Sequence, residues 1–101
     1  MVMNKIVLEG KEYPVTLTMG ACLEYKDLSG QEFDKVSGFS DIAQALYCCT
    51  KTACRRRGVE FDYALEDFSD ALGVADAIEI FTNLMQSEMA GFDETSAKKK
   101  K

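Results

Sequence analysis

The stretch KIVLEGKEYPVTLTM, residues 5–19, alternates apolar and polar side chains on both sides of Gly10. Such a period of two is typical of β-strands, and a glycine between two such runs is typical of a hairpin turn. The sequence therefore predicts a β-hairpin over residues 3–19. Because Pro14 cannot donate a ladder hydrogen bond, its amide position must face outward or lie on an edge. The predicted inner face consists of Ile6, Leu8, Tyr13, Val15, Leu17 and Met19.

A two-stranded hairpin is only marginally stable in water, so we expect the following helices to cover its apolar face. The first is predicted over residues 19–29, with a partial apolar stripe and a stop at Gly30. Residues 31–38 are predicted to be a connection that Phe33 and Val36 hold against the core. The stripe of the first helix consists of Cys22, Leu23, Tyr25 and Leu28.

A longer second helix is predicted from a cap at Ser40 or Asp41 to Arg57, with Gly58 as its stop. After an extended link at Val59 and Phe61, a third helix is predicted over residues 63–72. We expect Asp62 to cap the third helix and Gly73 to end it. The inner face of the second helix is Ile42, Ala45, Leu46, Cys49 and Ala53, and that of the third is Leu65, Phe68 and Leu72.

The last predicted helix begins at Ala75 or Asp76 and reaches Met89. Its apolar stripe is wider than a small core usually needs, which leaves two interpretations: core packing, or contact with a partner or a second copy. The stripe contains Ile78, Phe81, Leu84, Met85 and Met89, widened by Ala77 and Ile80. The candidate partner-binding residues in it are Ile80, Phe81, Leu84, Met85 and Met89.

These elements define an α+β fold: an N-terminal β-hairpin followed by a mainly helical body of about four helices, and a disordered C-terminal tail. We assign residues 1–92 to a single α+β domain and residues 93–101 to the disordered, lysine-ending tail. The unpaired hairpin edge and the wide last helix both favour a homo-oligomer.

The charge is unevenly distributed along the 101 residues. The net charge is −5, but without Lys98, Lys99, Lys100 and Lys101 it is −9, from eight basic and 17 acidic residues. Between residues 58 and 97 there are ten acidic residues and no basic one. So acidic a body is a poor binder of nucleic-acid phosphate, and we predict no nucleic-acid partner. A solvated acidic face and a site for a basic protein both fit this pattern.

The residue types present exclude most catalytic chemistry. The chain has no histidine, so a cysteine nucleophile lacks its usual base, and no glycine-rich loop follows a strand to cradle phosphate. We predict no enzyme activity and no cofactor. The four cysteines lack CxxC spacing and are predicted to be small buried residues of a reducing cytoplasm rather than a metal site. No signal peptide and no membrane-spanning run is recognisable.

The triplet Arg55, Arg56 and Arg57 lies in the last turn of the second predicted helix. Cations at that end interact favourably with the helix dipole, and this is one explanation of the triplet. The other is a contact patch for an acidic partner, and the three arginines are therefore candidate partner-binding residues.

The order of the elements resembles the tail assembly chaperones of long-tailed bacteriophages and prophages. The resemblance covers residues 4–92 and rests on KIVLEGKEYPVTLTMGACLEYKDLSG, then SDIAQALYCC, then FDYALEDFSDALGVADAIEIFTNLMQ, a helix pair split by glycine. It implies a chaperone of the host bacterial cytoplasm, absent from the mature virion. It also implies two partners, the tape-measure protein and the tail-tube protein, and no membrane. The alternatives are a virion tail-completion or connector protein, and an acidic DNA mimic that inhibits a host protein.

The terminal lysines acquire a second interpretation from this resemblance. In that family a programmed ribosomal frameshift near the end of the gene produces a longer minor form. Lysine codons are rich in adenine, so a chain that ends in Lys98–Lys101 fits the in-frame product of a slippery run. A solubilising tail and an added sequence fit equally well.

Overall fold

The computed structural model describes residues 4–86 of the chain. An antiparallel hairpin, β1 (Asn4–Leu8) and β2 (Lys11–Val15), is followed by α1 (Met19–Ser29), a 3-10 turn (Phe33–Lys35), α2 (Gly38–Arg57) and α3 (Leu65–Ala71). The last helix, α4, is described over residues 74–86. The predicted α+β fold with a hairpin and four helices is confirmed. The predicted disordered tail and Met89 lie outside the described residues.

The turn of the hairpin consists of two residues with positive φ, Glu9 at 53° and Gly10 at 83°. This is the conformation of a type I′ turn, whose twist matches that of the strands. Lys11 pairs with Leu8, which closes the turn, and Pro14 faces Lys5. Because hydrogen-bonded and open pairs alternate from the closing pair, Pro14 falls at an open pair and removes no ladder bond. Buried side chains of the hairpin are Ile6, Leu8, Tyr13 and Val15, as predicted.

The hairpin is shorter than predicted, because β2 ends at Val15. Thr18 instead caps α1, where its hydroxyl accepts a hydrogen bond from the amide of Ala21 at 3.2 Å. Met19, predicted to face inward, is the first residue of α1 and is 80% exposed. Leu17 does pack against the core.

Helix α1 has the predicted bounds, and Gly30 ends it in the left-handed conformation. Its buried residues are Ala21 and Tyr25, four positions apart, and the ring of Tyr25 lies 5.4 Å from that of Phe33. The predicted stripe is wrong for Leu23 and Leu28, which are both exposed. Leu23 is two positions from Ala21 and so lies nearly opposite the buried side.

Helix α2 is the centre of the molecule and contacts α1, β2 and α3. It begins at Gly38, so the predicted cap at Ser40 or Asp41 is wrong. Asp41 is instead the fourth residue of the helix. Its carboxylate accepts hydrogen bonds from the backbone amide of Ser37 at 3.0 Å and from the side-chain amide of Gln31 at 3.1 Å. Elements on several sides bury much of the helix: Ala45, Leu46, Cys48, Cys49, Thr50, Thr52, Ala53 and Cys54.

The link between α2 and α3 is held by aromatic rings. Phe61 and Tyr63 lie 5.6 Å and 6.0 Å from the Tyr13 ring, edge to face. The Tyr63 carbonyl accepts a hydrogen bond from the Tyr47 hydroxyl at 3.0 Å. This long-range bond helps explain why α3 begins at Leu65 and not, as predicted, at Tyr63 with Asp62 as its cap.

Helix α3 buries Phe68, and Leu72 follows it into the core as predicted. Gly73 separates α3 from α4, and its carbonyl accepts the amide of Ala77 at 2.9 Å. Helix α4 therefore begins at residue 74, one or two residues earlier than predicted.

Candidate functional site

The predicted partner-binding residues of α4 pack against the core within the described part of the chain. Leu84 is fully buried. Phe81 lies with its ring 6.3 Å from that of Phe33, and Ile80 and Met85 are half-buried. In this conformation Leu84 is a core residue, and the other three expose only part of their surface. Met89 lies outside the described residues, so partner contact by this set stays a prediction.

The arginine triplet lies at the exposed C-terminal end of α2, which Gly58 ends at φ 72°. Arg55 forms an ion pair with Glu24 of α1 at 3.2 Å, on the surface where such pairs stabilise little. Within residues 4–86, Arg56 and Arg57 form no ion pair. These two side chains therefore keep their charge on the surface, and their predicted contact with an acidic partner stays a prediction.

A second apolar surface lies at the other end of α2, about 20 Å from the triplet along the helix axis. It is a groove of about 500 Å³ between α2, α3 and α4, called here the apolar groove. Three apolar side chains on it are strongly exposed: Phe39 (66%), Val74 (58%) and Ile78 (40%). The remaining lining residues are Ser40, Ile42, Ala43, Gln44, Leu65, Glu66, Ser69, Asp70, Leu72 and Ala77.

The apolar groove carries negative charge at one wall. Glu66 and Asp70, one turn apart on α3, are both exposed, and no lysine or arginine is among the lining residues. The two carboxylates therefore border an apolar floor in the absence of a local cation. The groove therefore combines exposed apolar side chains with two carboxylates on one wall.

The sequence indicated an excess of apolar surface on the last helix, and in the structure Val74 and Ile78 are its strongly exposed large apolar residues within the described part of the helix. Ile78 was predicted to belong to the inner stripe, and Phe39 and Val74 are not among the contact residues that the sequence predicted. The spacing of apolar residues shows that a helix has more than one apolar face, but not which face meets the core. The usable signal was that Val74 and Ile78, four positions apart, form a second stripe beside Ala77, Phe81 and Leu84.

Acidic side chains also surround a shallow basin of about 460 Å³ between the hairpin turn and α3, called here the acidic basin. Lys11 is its only cation among the described lining residues. Tyr63 donates a hydrogen bond from its hydroxyl to the Glu9 carboxylate at 2.6 Å, which raises the pKa of Tyr63 to about 12. The acidic side chains of the basin are Glu9, Glu60, Asp62, Asp67 and Asp70.

The four cysteines are free thiols, and Cys48, Cys49 and Cys54 are buried. Burial raises the pKa of Cys48 to about 11 and also raises that of Cys54. With a pKa of about 11 the Cys48 thiol is protonated at neutral pH, and a protonated thiol is a poor nucleophile. In the described part of the chain, no three histidine, cysteine, aspartate or glutamate side chains are grouped so as to hold a metal ion.

Among the described helices, none has both the length and the apolar character needed to cross a bilayer. The chain matches no protein-family model, and neither a curated protein nor a solved structure matches it.

Proposed function

We propose that this protein is a tail assembly chaperone of a long-tailed bacteriophage or prophage. It would hold the tape-measure protein, recruit tail-tube subunits in the host cytoplasm, and be absent from the mature virion. The observation that carries the proposal is the apolar groove, an open apolar surface on a strongly acidic body. The order of the elements, a hairpin and then four helices, is the arrangement on which the resemblance rests.

The physical argument concerns what a holder of such a partner needs. A tape-measure protein is long, helical and apolar, and it aggregates when it is left uncovered. Its chaperone needs exposed apolar surface for contact and a high charge to stay dispersed. The chain combines exposed Phe39, Val74 and Ile78 with a net charge of −9 before its four terminal lysines.

Co-expression tests this proposal directly. The tape-measure protein encoded next to this chain is expressed alone and together with it, and the soluble fraction is quantified. We expect a several-fold gain of soluble tape-measure protein in the presence of the chain. Equal precipitation in both cultures contradicts the proposal, and so does mass-spectrometric detection of the chain as a stoichiometric component of purified virions.

The acidic basin favours a second candidate, a DNA mimic that blocks a host DNA-binding protein. Four of its carboxylates come from three places: Glu9 from the hairpin turn, Glu60 and Asp62 from the link between α2 and α3, and Asp67 from α3. Mimicry requires these charges to replace phosphates, so DNA should compete for the host protein. A host protein that is retained by the immobilised chain and released by DNA would favour this candidate over the chaperone.

A further inference from the structure

We infer that the apolar groove docks an amphipathic helix of a partner protein, with the helix's apolar face in the groove and its lysine or arginine flank against Glu66 and Asp70. The inference rests on the proposed function and deepens it, because it states which segment of the partner is held and where.

The shape of the groove favours a helix as its occupant. Three helices form its walls, and an amphipathic helix that lies between helices is a recurring mode of recognition. The exposed side chains come from two walls: Phe39 from the first turn of α2, and Val74 and Ile78 from the first two turns of α4. Apolar residues at positions i, i+3 or i+4 and i+7 of a docked helix form one continuous face that would lie against these side chains.

The charge of the groove favours a basic flank on that helix. Glu66 and Asp70 are exposed on α3, and from residue 66 to residue 79 the chain has five acidic residues, Glu66, Asp67, Asp70, Asp76 and Glu79, and no basic one. Complementary charges at the border of an apolar contact fix orientation and speed association. An acidic or uncharged helix would leave these carboxylates without a partner.

The same charge argues against a second copy of the chain as the occupant. In a two-fold symmetric dimer through the groove, the same patch faces itself. Because the described lining residues include no lysine or arginine, Glu66 and Asp70 of one copy would meet no cation in the groove of the other, and the like charges would repel each other. This repulsion opposes self-association through this groove.

The test uses two synthetic peptides, each about 18 residues or five helical turns long. Both have the same leucine and alanine face, but one has lysine flanks and the other glutamate flanks. Fluorescence anisotropy measures the binding of each labelled peptide to the full-length chain. We expect saturable binding of the lysine peptide, weaker at high salt, and binding of the glutamate peptide reduced by about tenfold or more.

Variants of exposed residues locate the binding site. Ile78→Lys places a charge in the groove, and we expect it to weaken the lysine peptide by about tenfold or more. The matched control is Leu23→Lys, which is 70% exposed on α1 outside the groove and should leave the affinity within about twofold. The charge pair is Glu66→Lys, at a residue that lines the groove and not the acidic basin, against Asp27→Lys on α1, and we expect only Glu66→Lys to weaken the lysine peptide. Circular dichroism verifies folding, and Val74→Lys replaces Ile78→Lys if that variant unfolds.

Four results would overturn the inference. The first is equal binding of the two peptides, and the second is equal weakening by Ile78→Lys and Leu23→Lys. The third is binding of the lysine peptide only after removal of Lys98–Lys101, which would identify the chain's own terminus as the occupant. The fourth is a molecular mass, measured by light scattering, that is half as large for Ile78→Lys as for the wild type, which would identify a second copy of the chain as the occupant.

The co-expression experiment separates this inference from the proposed function. If the wild-type chain keeps the tape-measure protein soluble and Ile78→Lys does so equally well, the chaperone function stands and the groove is not its site. If the lysine peptide binds in the groove but the tape-measure protein precipitates, the groove stands and the chaperone function fails.

Discussion

At the scale of single residues, the hydrogen bond between Tyr63 and Glu9 joins the α2–α3 link to the hairpin turn, 54 positions away. The bond raises the pKa of Tyr63 from 10.0 to about 12, because only the protonated phenol can donate to the carboxylate. A group whose pKa is higher in the folded than in the unfolded state stabilises the folded state. This contribution is fully present when the pH is below the unfolded-state pKa. Its contribution is lost as the pH rises from about 10 through about 12.

We therefore expect Tyr63 to remain protonated in the folded chain where an ordinary tyrosine ionises. The tyrosinate absorbance of the wild type minus that of Tyr63→Phe, recorded against pH, isolates this phenol. Glu9→Gln should return its pKa toward 10.0, the ordinary value. The control is Glu12→Gln, which removes an exposed carboxylate that pairs with Lys5. A Tyr63 titration unchanged by Glu9→Gln would contradict the assignment.

At the scale of helices, the end of α1 depends on the backbone conformation of Gly30. This residue has φ 82°, and its amide donates to the carbonyl of Lys26 at 2.8 Å. A side chain in the left-handed region costs about 1–2 kcal/mol, so we expect Gly30→Ala to lower the free energy of unfolding by that amount. Urea denaturation measures the change.

Gly20, inside the same helix, is the matched control. A Cβ atom there would meet Thr18 Oγ1 at 3.6 Å and Thr52 Cγ2 at 3.7 Å, which are ordinary contacts. Because alanine favours the helix over glycine, Gly20→Ala should leave the stability equal or raise it by up to about 1 kcal/mol. Equal destabilisation by the two substitutions would show that volume, and not the sign of φ, decides at Gly30.

Across the whole molecule, the sequence predicted those features that local chemistry dictates. The alternation around Gly10 places Ile6 and Tyr13 inside, and glycine at positions 30 and 58 ends two helices. The starts of α2 and α3 were predicted less well, because contacts with residues outside the first turn accompany them. Asp41 binds Gln31 and Ser37 from inside α2, and a hydrogen bond from Tyr47 engages the carbonyl of Tyr63 just before α3.

The candidate binding surface was harder to predict than the fold, for a related reason. Amphipathic spacing identifies apolar residues, but the elements packed around a helix decide which of them are covered. Helix α1 shows the same effect, because Tyr25 is buried with its ring 5.4 Å from that of Phe33, whereas Leu23 is exposed. On α4 the neighbouring elements cover Leu84 and leave Ile78 partly exposed. The candidate contact surface therefore lies at the beginning of the helix.

This division of α4 into a core side and an open side predicts different costs of truncation. Leu84 is fully buried, so Leu84→Ala removes apolar contacts and leaves a cavity, and we expect it to lower the free energy of unfolding by about 2–5 kcal/mol. Ile78 is 40% exposed, and Ile78→Ala should cost less than about 1.5 kcal/mol. Both are measured by urea denaturation at fixed protein concentration. If Leu84→Ala cost no more than Ile78→Ala, α4 would not be anchored through Leu84, and the stripe first predicted for partner contact would be free to serve it.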